Sequence, residues 1–308
     1  MSARPSVALS PPPPSRRPLS RRQALGLAAA VMALPARARA GQPRIAAIDW
    51  AALETALAIG VVPVAATELI QFRRIAVEPE VPDAVMDIGL RGTPNYEALR
   101  LAEPDLILIS DFYERQRAAL ERIAPLLSLT VYRPGVPPYA RAAEATLTLA
   151  RALDRDAQAQ DAIARADREI ARIRAALEGV PRRPVFVINI GDARHFRAFG
   201  TDSMFGDVLG RLGFENAWTT STSYAAAAPL GVEHLAGVPD AGVLVVGPVP
   251  PEARRTLFDG ALWNALPMVR DGRVSVIEPI NHFGGLPAAT RFARLAADAL
   301  RLIGQGHG

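Results

Sequence analysis

Cysteine and lysine are both absent from the 308 residues. The first absence excludes disulfides, iron–sulfur ligation, thiolate zinc sites and cysteine nucleophiles. It also excludes the lipid-bearing cysteine that tethers some exported bacterial proteins. The second makes every arginine-or-lysine cation a guanidinium and excludes lysine Schiff-base chemistry. Catalytic motifs are missing too: there is no G-x-S-x-G elbow and no Walker A loop. The run Gly206-Asp207-Val208-Leu209-Gly210-Arg211-Leu212-Gly213 has the wrong glycine spacing for a dinucleotide fingerprint, so its glycines are read as packing and capping a helix. His195, His234, His282 and His307 show no compact ligand spacing, so neither a protein-held metal nor a cofactor of the chain's own is expected. Carboxylates are plentiful, but nothing singles out an acid/base pair, and an enzyme is unsupported.

The first forty residues hold the most specific signal. Ser20-Arg21-Arg22-Gln23-Ala24-Leu25 leads into an apolar run from Leu25 to Leu34 and then Ala38-Arg39-Ala40. A twin-arginine pair, a short apolar core and an A-x-A ending, in that order, form an export signal. The core is far shorter than the roughly 20 residues a membrane-spanning helix needs, so residues 1–40 are expected to be cut off rather than kept as an anchor. Seven arginines and no acids fall in this segment, which leaves 28 arginines against 31 acids in the rest. The basic character of the whole chain therefore belongs to the signal, and no basic stretch remains that would track a nucleic acid. The expectation is a soluble periplasmic protein.

Beyond residue 40 the chain alternates strand and helix signals. Arg44 to Ile48, Val61 to Val64 and the nearly continuous apolar run Asp105 to Ser110 read as strands, with helices over Trp50 to Ile59 and from Ala118 to Ile123. From Tyr139 to about Leu177 there is neither proline nor glycine, and Ala159, Ile163, Ile170 and Ile173 recur at helical spacing. This is a long helical passage with a candidate break near Asp154. A second α/β series follows, with strands at Pro184 to Ile190, Ala241 to Val246 and Arg273 to Ile277 and helices at Met204 to Leu212 and Ala288 to Ile303. The class is α/β: a signal at 1–40, an N-terminal lobe at 41–138, a bridging helical segment at 139–180 and a C-terminal lobe at 181–308.

Two residues lie where open α/β folds collect ligands, beyond the carboxyl ends of strands. Arg91 opens the loop Arg91-Gly92-Thr93-Pro94-Asn95, and Tyr113 follows the 105–110 strand. From the residues alone, a lone arginine there is more often solvated surface and a loop tyrosine more often packing than a ligand contact. The blocks Arg44-Ile45-Ala46-Ala47-Ile48-Asp49-Trp50, Leu57 to Pro63 and Pro82 to Asn95 resemble the N-terminal lobe of the periplasmic ferric-hydroxamate siderophore-binding proteins of ABC importers. Ala193-Arg194-His195, Phe199-Gly200, Ser203-Met204-Phe205, Asn216-Ala217-Trp218, Leu262 to Pro267 and Val269 to Arg273 resemble that family's second lobe, in order. The resemblance implies a class III periplasmic binding protein-like fold, two α/β lobes bridged by a long helix that restricts hinge motion, with a shallow cleft between them. It also implies that Arg91 and Tyr113 meet the iron-coordinating groups of an iron(III)–siderophore, the metal being held by the siderophore.

Departures from the family pattern thin its tryptophan wall. Ile75 and Ile109 stand where tryptophan is expected, Tyr224-Ala225 replaces an aromatic–tryptophan pair, and Asn281-His282-Phe283-Gly284 replaces an all-aromatic cluster. These positions complete the expected contact set, and Arg73 and Arg74 at the cleft edge would suit a more anionic ligand or else remain solvated surface. Glu233, and less cleanly Glu121, match the acids that dock such proteins on the importer's permease. The reading is a monomeric carrier of an iron(III)–siderophore, of hydroxamate type, to an ABC importer, without catalysis. Haem or cobalamin carriage on the same fold, an exported enzyme and a structural envelope protein are the alternatives.

Overall fold

A computed structural model of the chain describes residues 43–220, 222 and 230–305. The export signal at 1–40 and Tyr224 lie outside the described residues. Two five-stranded sheets carry the fold. The first comprises β1 (Ile45–Ala47), β2 (Ala65–Ala66), β3 (Met86–Asp87), β4 (Leu106–Ile109) and β5 (Leu126–Ser128). Its strands are all parallel, in the order β3-β2-β1-β4-β5, with Ala46 opposite both Ala65 and Ile107. Parallel strands need crossover helices. Here these include α1 (Trp50–Ala58), α2 (Leu69–Ile75) and α3 (Tyr96–Leu101), with a 3₁₀ turn over Asp111–Gln116 running into α4 (Arg117–Leu120). Caps fix two of the starts: Asp49 accepts from the Ala52 amide, and Asn95 accepts from those of Glu97 and Ala98.

The second sheet is mixed. β6 (Val185–Ile190), β9 (Gly242–Val246) and β10 (Val274–Ile277) run parallel, while β7 (His195–Ala198) and β8 (Leu230–Gly231) are antiparallel neighbours on the β6 side, in the order β10-β9-β6-β7-β8. The helical passage between the sheets is two helices, α5 (Pro138–Ala152) and α6 (Asp156–Ala176), broken at Asp154, whose φ of 53° lies in the left-handed region. In the second half α7 (Met204–Arg211) is followed by the short helices α8 (Pro251–Thr256), α9 (Ala261–Ala265) and α10 (Pro267–Arg270), and then by the long C-terminal helix α11 (Leu286–Gln305).

Two local expectations need correction. Val61 to Val64 is not a strand, because residues 59–61 close the end of α1, with Gly60 at φ 75° and the Val61 amide on the Ala56 carbonyl, and Pro63 has no amide to give a ladder. The strand starts two residues past Pro63, at Ala65. The helix placed at Ala118 to Ile123 begins one residue earlier, at Arg117 directly after the 3₁₀ turn, and stops at Leu120, ahead of Pro125. The glycine-rich run over α7 behaves as expected. A Cβ at Gly206 would stand 2.0 Å from the Gly200 carbonyl oxygen, and Gly213 sits at φ 86° past the helix end.

Apolar packing joins the two halves. One apolar core runs from Trp50 and Leu53 of α1 through Leu149 of α5 and Ile170 of α6 to Phe205 of α7 and Phe292 of α11. Separate cores cover the other face of each sheet. α5 touches both α1 and α7, so opening the molecule as a hinge would expose apolar surface at about 25 cal/mol per Å². Among the described residues no helix is long and apolar enough to cross a membrane.

Candidate functional site

The order of the first sheet reverses between β1 and β4, and a crevice opens there beyond the carboxyl ends of the strands. Asp49 at the end of β1 and Ser110 at the end of β4 meet at that point: the Ser110 hydroxyl donates to Asp49 Oδ2 at 2.7 Å and the Ala52 amide to Oδ1 at 3.1 Å. Burial pushes the Asp49 pKa up, against these donors and the nearby positive charge of Arg91. On the β4–β5 side lies a pocket of about 170 Å³ lined by Asp49, Asp111, Phe112, Thr130, Tyr132 and Arg133, among others.

Arg91 stands on the β2–β3 side. Its guanidinium lies 3.9 Å from the centre of the Trp50 ring, Nε donates to Glu68 Oε2 at 2.7 Å, and its amide donates to Glu68 Oε1 at 3.1 Å. Gln116 of the 3₁₀ turn steadies the loop by donating to the Gly92 carbonyl at 3.0 Å. Tyr113, on the same turn, packs with Ile48 and Ile109 and is 9% exposed. Burial raises its pKa, with Asp49 and Glu68 adding and Arg91 opposing, so the phenol stays protonated and can donate. The structure thus brings Arg91 and Tyr113 together around Asp49, Glu68 and Trp50.

The segment between β10 and α11 faces this crevice from the other half. Phe283 packs edge-on against Tyr132 at 5.5 Å and Phe112 at 6.2 Å between centroids. His282, half-buried, sits edge-on to Phe199 and Phe205, and burial together with the Arg197 charge lowers its pKa to about 4, so it is neutral. Asn281 is a correction: it is 2% exposed, its Nδ2 donates to Glu54 Oε1 at 2.6 Å and its Oδ1 accepts from the Phe283 amide, which leaves it no edge for a ligand. Ile109 is a second correction, because its β4 side chain is fully buried in the outer core of the first sheet and faces away from the crevice. Ile75 ends α2, half-buried against the central core.

Other expected site residues stand apart. Arg73 donates to the carbonyl of Val81 and pairs with Asp83 at 3.4 Å, while Arg74 is exposed. Glu233 is exposed in the 3₁₀ turn Val232–Gly237, and Glu121 is exposed and pairs with Arg117 at 3.1 Å. Sequence reasoning missed Asp49, Glu54, Glu68 and Ser110. Glu54 had a signal, since it is the one charge in the apolar run Trp50 to Ile59. Glu68 had none.

Two α/β lobes that share a core, with donors and aromatic rings at the switch point of one lobe and rings of the other facing them, define a binding protein of the two-lobed periplasmic type. Residues 45–280 match the periplasmic binding protein family, and the chain belongs to it. The iron(3+)-hydroxamate-binding protein FhuD of Escherichia coli (strain K12) is 30% identical over 257 residues, 83% of this chain and 86% of that protein. The structure of the siderophore-binding protein FhuD from Vibrio cholerae with Fe3+–Desferal bound is similar with a TM-score of 0.81 and 26% identity, covering 86% of this chain and 100% of that one. The catecholate-siderophore binding protein VctP from Vibrio cholerae shares the fold, with a TM-score of 0.63 at 16% identity over 85% of this chain and 94% of that one.

Proposed function

We propose that this chain is a periplasmic solute-binding protein that captures an iron(III)–siderophore of hydroxamate type and delivers it to an ABC importer, without catalysing a reaction. The observation that carries the reading is the pair Arg91 and Tyr113, set at the switch point of a chain 30% identical to a hydroxamate-binding protein over most of its length. Hydroxamate oxygens bound to iron(III) keep partial negative charge even in a neutral complex, and a guanidinium and a protonated phenol donate to them. The siderophore coordinates the iron, so the protein supplies hydrogen bonds and rings rather than metal ligands. Phe112, Phe283 and Tyr132 provide rings beside these donors. His282 and Ile75 are proposed at the rim, and Tyr224 is proposed as a further ligand contact.

Export through the twin-arginine signal of residues 1–40 and action as a monomer belong to the same proposal. Glu233 is the proposed contact with one half of the permease. Glu121 is the weaker proposal for the other half, because it shares Arg117 with Glu114.

The test is thermal stability and tryptophan fluorescence of the purified protein titrated with ferric hydroxamate, catecholate and citrate complexes, haem and cobalamin. A complex present at 100 times its Kd should stabilise the fold by about 2.7 kcal/mol. A ferric hydroxamate is expected to do this, and Arg91→Ala to abolish it. Stabilisation by haem or cobalamin alone, or by none of the set, overturns the reading.

A further inference from the structure

We propose that Glu68 sets the charge class of complex the cleft accepts, by holding Arg91 as a neutral, oriented pair that favours uncharged or cationic ferric complexes over anionic ones; this rests on the ferric-siderophore reading above. Three observations converge on that residue. Its backbone lies at φ 51°, ψ 42°, a left-handed conformation unfavourable for a residue other than glycine, asparagine or aspartate. It occupies the N-cap position of α2, where a side-chain oxygen can accept from the helix's own amides, yet it makes no capping hydrogen bond. The first amide of α2 is served instead by Asp87, whose Oδ2 accepts from the Leu69 amide at 2.9 Å. The strained backbone and the forgone cap leave both Glu68 oxygens on Arg91, one on its amide and one on Nε.

Geometry and charge follow together. With Nε taken and its central carbon held over the Trp50 ring, the guanidinium is fixed in place, and among the described residues its two Nη nitrogens meet no protein acceptor. They are the donors left for a ligand. The pair carries no net charge, and the adjoining pocket repeats the pattern: Asp111 faces Arg133 at 3.9 Å and Asp49 adds a further acid. Asp49, Glu68 and Asp111 therefore stand against Arg91 and Arg133 around the carboxyl ends of the strands, and Arg197, whose charge reaches His282, adds one cation from the other half. A wall with no cationic excess rejects an anionic tris-catecholate or carboxylate complex, because desolvated like charges discriminate strongly between partners. It accepts a neutral trihydroxamate, or one bearing a free ammonium arm, through hydrogen bonds alone.

The experiment compares dissociation constants, read by quenching of tryptophan fluorescence, for three probes: ferrichrome (neutral), iron(III)–Desferal (cationic) and iron(III)–enterobactin (anionic). The wild type is expected to bind the anionic probe at least about a hundredfold more weakly than ferrichrome, and comparable binding overturns the inference. Glu68→Gln removes the charge and frees Arg91. It should shift the preference between ferrichrome and iron(III)–enterobactin by about tenfold or more toward the anion, the size of one charged hydrogen bond. Glu68→Asn is the second variant if the first does not fold, since asparagine tolerates the left-handed backbone. Asp83→Asn, which removes a surface acid of the same lobe, should leave the preference unchanged. An unchanged preference in a folded Glu68 variant, or an equal shift in Asp83→Asn, overturns the assignment. If the wild type binds none of the three probes, the ferric-siderophore reading itself has failed and this inference falls with it.

Discussion

Glu54 and Glu68 are two carboxylates of the same lobe with opposite tasks. Glu54, on α1, is fully buried and accepts from three donors of the other half: Asn281 Nδ2 at 2.6 Å, the Gly285 amide at 2.7 Å and the Ala288 amide at 3.3 Å. The Tyr132 hydroxyl donates to the Gly284 carbonyl at 2.6 Å beside it, and a Cβ on Gly284 would stand 2.6 Å from the Glu54 carboxylate, so the contact requires glycine. Glu68 is partly exposed and serves a single arginine of its own lobe. Burial and the number of donors, rather than residue type, decide which acid clamps the two halves and which shapes the ligand surface.

Removing the clamp is the largest expected effect. Glu54→Ala leaves two backbone amides and the Asn281 amide buried without an acceptor, and the fold should lose about 3 kcal/mol or more in urea unfolding. The preference among charged probes should not move in the molecules that stay folded. A Glu54 variant that keeps its stability but changes that preference would merge the two tasks and break the comparison.

Titration separates the clamp from its surroundings. Burial raises the Glu54 pKa from 4.5 to about 7, so the folded state holds a proton that the unfolded state has released. Its contribution is fully present below about pH 4.5 and is lost as pH rises to about 7. Asp49, also raised, acts in the same direction. His282 acts oppositely: its pKa falls from 6.5 to about 4, so stability is lost as pH drops through that window. The overlapping windows offset one another in the wild type. Glu54→Gln should tilt the stability profile upward with pH between about 4 and 6.5, and His282→Gln should tilt it downward toward pH 7, both read from melting temperature against pH. Parallel profiles for the two variants would show that neither group titrates as its burial dictates.

Much of this architecture was legible in the sequence. The apolar runs of β4, β6 and β9 and the glycine-free stretch of α5 and α6 stand out, because buried parallel strands and long helices impose strong periodicity. β7 was missed despite alternating Phe196 and Ala198 with exposed Arg197, because four residues carry little pattern. β2 was misplaced by the pull of Val61 to Val64 across Pro63. At the site, strand-end position pointed to Arg91 and Tyr113. Glu68 was invisible, because its role depends on a left-handed backbone and a partner from a different loop, neither of which a linear pattern encodes. Ile109 and Asn281 failed for the converse reason: their alignment with cleft positions says nothing about which way a side chain faces.

The smallest expected effect concerns the cations that the chain leaves in solvent. Arg74 sits one residue from the end of α2, exposed, whereas Arg91 is held against Trp50 and Glu68 at the other end of the same region. Solvent screens an exposed guanidinium, and exposed charges contribute about 0 to 1 kcal/mol. Arg74→Ala should therefore alter affinity for ferrichrome and for iron(III)–enterobactin by no more than about twofold, the scale of such a screened charge. A selective loss of the anionic probe in that variant would mean that solvent-facing arginines, rather than the Glu68-bound Arg91, govern charge selection, and the division of labour between paired and unpaired cations would have to be reversed.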